Sequence, residues 1–132
     1  MRCHDFRLEG YSVSDLSSKI TLHLVYDYHG AERAESHIEF HGVEFYHFLH
    51  TQGAIIIDIE EEPLTSVIKT EEALLTSVDM QLGVRMWQTG PMDYLRNLTT
   101  KGCHAWRIQS AIGFTGFIIA QSIAEARKST PV

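Results

Sequence analysis

At 132 residues the chain is long enough for one domain with its own core and too short for two. Its 44% hydrophobic and 21% charged residues exclude a disordered chain, and no apolar run reaches the length of a membrane span or a secretory leader core, so a cytoplasmic protein is expected. Eleven Lys and Arg against seventeen Asp and Glu leave a net charge of −6, which disfavours nonspecific attraction to nucleic acid or to an anionic membrane.

In chain order, residues 3–9 alternate weakly, with Phe6 and Leu8 set against His4, Asp5 and Arg7. They predict a short first strand that gives way to a Ser-rich loop over 10–18. Ile20, Leu22, Leu24 and Tyr26 then alternate with Thr21, His23, Val25 and Asp27, the period of a strand with one buried face. After a turn at 28–31, Ala34, Ser36, Ile38 and Phe40 again take the even positions. Directly opposed residues of an antiparallel hairpin share a face, so even must pair with even across a loop of about three or five residues. His23 then faces His37 or Glu39, and Leu22 faces Ile38 or Phe40.

Gly42 interrupts this pattern. A bulge at His41-Gly42 that bends one continuous strand is the first expectation, because glycine accommodates the extra residue. A tight hairpin at the same place would oppose Glu39 and Glu44, and a helix over 43–50 is third in view of its β-favouring aromatics. Thr51-Gln52-Gly53 predicts a hairpin loop, followed by an almost wholly apolar central strand over 54–59.

Glu60-Glu61-Glu62-Pro63 suits the start of a helix, where acidic groups complement the dipole. Leu64, Val67, Ile68, Leu74, Leu75 and Val78 then predict one amphipathic helix to about Met80. Residues 84–89 carry no clear pattern. Gly90-Pro91 opens a second, shorter helix over 92–100, closed by Gly102. Residues 103–110 and 114–121 read as a terminal hairpin, residues after Ser122 as a strand extension or a helical turn, and 129–132 as a frayed tail. The expected fold is α+β: a bent antiparallel sheet of about six or seven strands, with two helices inserted before the C-terminal hairpin and packed on one face, all in a single domain over 1–132.

Chemistry-bearing residues concentrate between Ile20 and Glu62, which hold six of the eight histidines. His37, Glu39 and His41 lie two apart on one strand and share a face, and the hairpin parity sets His23 beside them. Imidazoles and a carboxylate in that arrangement form a candidate Zn²⁺ or Fe²⁺ site, against the plainer reading of a solvent-facing sheet surface. His47 and His50, grouped with the neighbouring Tyr46, diverge on a strand and converge only on a helix. Asp58, Glu60, Glu61 and Glu62 form a candidate acidic patch for a basic partner, the first, second and fourth of them sharing a face if the strand runs that far. Cys103 and His104 are adjacent, so a strand turns them apart and they do not form a nucleophile and base pair. Cys3 and Cys103 have no redox spacing and are expected as thiols.

No complete catalytic set emerges. The expected function is a non-catalytic protein-interaction module, inhibitor-like or immunity-like, that meets a basic protein partner through its acidic patch and needs no cofactor. The alternative is a small-ligand or metal-binding domain, or an enzyme, that uses the histidine face.

Overall fold

The computed structural model describes residues 6–26, 30, 32–50, 55–82, 90–110 and 113–129. Residues 3–5 of the expected first strand, most of the turn at 28–31, the loop at 51–53, the segment 84–89 and the tail from 130 onward lie outside them.

The even-numbered alternation builds β2 (Lys19–Tyr26) and β3 (Ala34–His41), paired so that Leu22 opposes Ile38 and His23 opposes His37. The parity argument holds, although the ladder ends at Tyr26↔Ala34 and the connection is therefore longer than expected. Strand β1 (Phe6–Ser14) corrects a second expectation, since it continues through Gly10 to a tight turn at 15–18 instead of dissolving into a loop. The cause is a register shift between Leu8 and Gly10, which moves the inward positions from Phe6 and Leu8 to Tyr11 and Val13 and hides the alternation. In the turn, Asp15, Leu16 and Ser17 all have positive φ, and the Ser18 amide and hydroxyl both donate to the Asp15 carbonyl at 3.2 and 2.6 Å.

The remaining strands are β4 (Phe45–His50), β5 (Ile55–Glu62), β6 (His104–Ser110), β7 (Phe114–Ala120) and β8 (Ser122–Ser129), with helices α1 (Leu64–Thr70), α2 (Glu72–Leu82) and α3 (Pro91–Thr100) between β5 and β6. The order is β4-β7-β6-β5-β1-β2-β3-β8 with every pair antiparallel, giving an α+β fold of two four-stranded halves. The halves are joined by Phe6↔Ile56 and Arg7↔Ile55. Among the described residues, eight strands and three helices replace the expected six or seven and two. The segment after Ser122 is strand β8, paired along β3, and not a helical turn.

Gly42 is where the sheet turns. The β3–β8 ladder ends at His41↔Ser122 and the β4–β7 ladder begins at Phe45↔Ile119, so residues 42–44 face only 120–121. One extra residue on one side defines a bulge. Backbone bonds carry the pairing across it, from the Gln121 amide to the His41 carbonyl at 2.9 Å and from the Glu44 amide to the Ile119 carbonyl at 2.8 Å. Gly42 has φ of 65° and packs against the Gln121 side chain, which leaves no space for a Cβ. Because β3 runs on into β4 and β7 into β8, the ladders close on themselves: β1, β2, β3 with β4, β7 with β8, β6, β5 and back to β1. Strand β4 is thus the partner of β7 and not of β5, so the expected hairpin pairing of these two strands is not formed.

Inside this ring lie Phe6, Leu8, Ile20, Leu22, Leu24, Ile38, Phe40, Ile59, Trp106, Ile108, Phe114 and Ile118, all buried. Each large side chain so buried contributes roughly 2 kcal/mol of transfer free energy. The outer face of β6 and β7 carries Ala105, Phe117 and Ile119 against Val67, Ile68, Leu75 and Leu98 of the helices. The expected single helix is broken at Glu71, whose φ and ψ of −101° and 16° close α1 before α2 begins. Helix α3 ends as its sequence predicts: the Gly102 amide bonds the Thr99 carbonyl at 3.0 Å and the Cys103 amide the Leu98 carbonyl at 2.9 Å, with Gly102 at φ of 76°. No helix among the described residues is long and apolar enough to cross a membrane.

Candidate functional site

The histidine face is built by the β2–β3 register. His23 and His37 meet edge to face with ring centroids 4.8 Å apart, and Ser12 Oγ lies 3.3 Å from His23 Nε2. Beside them a shallow depression of about 300 Å³ is lined by Glu9, Gly10, His23, Leu24, Glu35 and His37, opened by the bulge at Gly10. Glu39 and His41 share the face but turn away from this pair. Glu39 Oε1 accepts from Lys19 Nζ at 3.2 Å and lies 3.3 Å from His41 Nε2, and the bond from Lys19 holds its carboxyl below the usual carboxylate value. The four residues read together from the sequence therefore divide into His23 with His37 and Glu39 with His41. Among the described residues no group of three or more His, Cys, Asp or Glu converges to hold a metal ion.

The acidic run does not start a helix. Strand β5 continues to Glu62, and the first turn of α1 contains no acidic residue. Alternation therefore splits the run: Ile59 and Glu61 face inward, while Asp58, Glu60 and Glu62 face outward. On the outward side Arg107 stands opposite Glu60 in the ladder, yet its guanidinium donates to Glu62 at 3.2 Å and to Glu71 at 2.8 Å. Burial works against the Arg107 charge, but the bonds to Glu71 and Glu62 outweigh it and hold the group above its ordinary value. Asp58 and Glu60 are left side by side, and their shared hydrogen bond raises the Glu60 carboxyl above the usual range.

His47 and His50 lie on strand β4 and not on a helix. His47 packs toward Phe117 at 6.4 Å and His50 against Phe114 at 5.3 Å and Tyr11 at 6.2 Å. Cys103 is buried among the helix-facing side chains, and burial pushes its thiol up, the reverse of what a nucleophile requires. His104 points the other way, toward Trp106.

A further site, not legible in the sequence, lies in the ring itself. Where the chain running from β7 into β8 leaves the β6 edge beyond His104↔Ala120, a cavity of about 450 Å³ opens, lined by Ile38, Ile59, Glu61, Trp106, Ile123, Ala124 and Glu125. Glu61 Oε2 accepts from His104 Nδ1 at 3.0 Å, which fixes the carboxylate at the mouth. The residues come from four strands and share no motif. The one signal available was the placement of Trp106 in an alternating strand, which puts an indole on the inner face.

No protein-family model matches the chain, and no curated protein and no solved structure matches it either.

Proposed function

We propose that the protein is a non-catalytic interaction module, inhibitor-like or immunity-like, that receives a basic partner on the outward face of β5. The observation that carries this reading is the pair Asp58 and Glu60, two apart on the outward side of β5, while Arg107, the ladder partner of Glu60, donates instead to Glu62 and Glu71. Two adjacent carboxylates that repel are stabilised by a Lys or Arg supplied from outside, and the net charge of −6 steers such a partner in. The test is affinity capture from the native host at low and high salt with wild type and with Asp58→Asn/Glu60→Gln. Wild type should retain a basic protein at low salt and release it at high salt, while the double variant retains at least about tenfold less. Equal recovery by the variant, or no partner at low salt, rejects the proposal. Relief of repulsion leaves the variant at least as stable as wild type, so lost capture does not reflect unfolding.

A second reading places a small ligand, or a metal held by the two imidazoles alone, at the histidine pair, and the depression that His23 and His37 line favours it. It requires Zn²⁺ to raise the melting temperature of wild type and to leave His23→Gln/His37→Gln unmoved. An unchanged wild-type melting temperature eliminates it.

A further inference from the structure

The ring has two places where a strand leaves its neighbour, and they are filled differently. At the first, where β4 departs from the line of β3, the interior is plugged by rings. Tyr11 meets Phe48 edge to face at 5.0 Å, and Phe48 meets Tyr46 at 5.2 Å and Phe114 at 4.9 Å. At the second, where the chain running from β7 into β8 leaves β6, Trp106 lines one wall and a cavity of about 450 Å³ remains. Ile123 marks the difference. It opposes the fully buried Phe40 and so belongs to the inner face, yet it is 38% exposed.

The walls have two characters. Ile38, Ile59 and Ile123 supply aliphatic surface, and Trp106, held edge to face by Phe40 at 5.6 Å, supplies an indole. Glu61 lies beside them on β5, fixed by His104, and Glu125 lies beside them on β8, opposite Ile38. An apolar hollow of this volume falls within the roughly 300–1,000 Å³ range of small-ligand sites, which favour the mouths of β-barrels. Carboxylates on two sides of the mouth and an aromatic wall select positive charge on an apolar body.

We infer that this fork binds a small organic cation with a flat apolar body, an aromatic amine, whose ring takes the place that Tyr11 and Phe48 fill in the other fork and whose ammonium sits between Glu61 and Glu125. The inference is independent of the partner assigned to the outward face of β5, because Glu61 and Glu125 face inward and Asp58 and Glu60 outward. The experiment is a heteronuclear NMR titration of the full chain with 2-phenylethylamine and with 2-phenylethanol, a neutral probe of nearly the same shape. The amine should shift the Ile59, Ile123 and Trp106 resonances and bind at least about tenfold more tightly than the alcohol. Glu61→Gln/Glu125→Gln, whose spectrum should stay that of the folded protein, should reduce the amine to the level of the alcohol. Asp58→Asn/Glu60→Gln should leave amine binding unchanged. Absence of shifts at the cavity with either probe, equal binding of the two, or a preference for the amine that survives Glu61→Gln/Glu125→Gln overturns the inference.

Discussion

Phe40→Ala should lower the free energy of unfolding by about 4 kcal/mol. Phe40 is fully buried, it opposes Ile20 on one side and Ile123 on the other, and its ring meets Trp106 across the interior. Truncation removes the transfer free energy of the ring and the aromatic contact together. The void it leaves lies between Ile20, Ile123 and Trp106 on paired strands, which relax only partially around it. Phe40→Leu keeps most of the volume and should cost about 1.5 kcal/mol. Urea unfolding with an unchanged slope measures both. A loss below about 1 kcal/mol for the alanine variant would show that Phe40 does not join the two halves of the ring.

Arg107→Ala should cost about 3 kcal/mol. The side chain is only 15% exposed, it donates to Glu62 on β5 and Glu71 at the helix break, and its guanidinium lies 5.5 Å from the Phe117 ring centroid. Removal leaves two partly buried carboxylates facing each other without the cation, so the cost reflects their desolvation and repulsion more than the attraction lost. The decisive comparison is the triple variant Arg107→Met/Glu62→Gln/Glu71→Gln, which discards the charges together and should recover at least about half of the loss. If the triple variant is as unstable as Arg107→Ala, packing and not charge is what Arg107 contributes. The same residue explains why α1 and α2 are anchored where they meet, since Glu71 both ends α1 and bonds β6.

Several features were legible in advance because they depend on neighbours in the chain. Alternation across 20–40 set which side chains face the interior, and the odd connection parity limited the partner of His23 to His37 or Glu39, of which the register takes His37. Gly42 marked the bulge, Gly102 the end of α3, and the terminal hairpin followed from two alternating runs about a glycine. The inward and outward division of Asp58, Glu60, Glu61 and Glu62 also followed from period two once the strand was known to reach Glu62. The first strand was truncated at Gly10 because a bulge exchanges the two faces mid-strand, and a period count then sees only noise.

What this sequence determined by itself was therefore mainly a set of faces: which residues of the regularly alternating strands turn inward, where β3 bends at Gly42 and where α3 stops at Gly102. Those follow from backbone periodicity and from the conformations open to glycine, which act over a few residues. Only the tertiary structure decided the partners. That β4 pairs with β7, that β5 pairs with β1, and that β8 follows β3 are choices among strands of similar character far apart in the chain. They are settled by how the whole interior fills, and no local pattern encodes that sum. The division of the histidine face into two pairs and the open fork beside Trp106 are both consequences of that pairing.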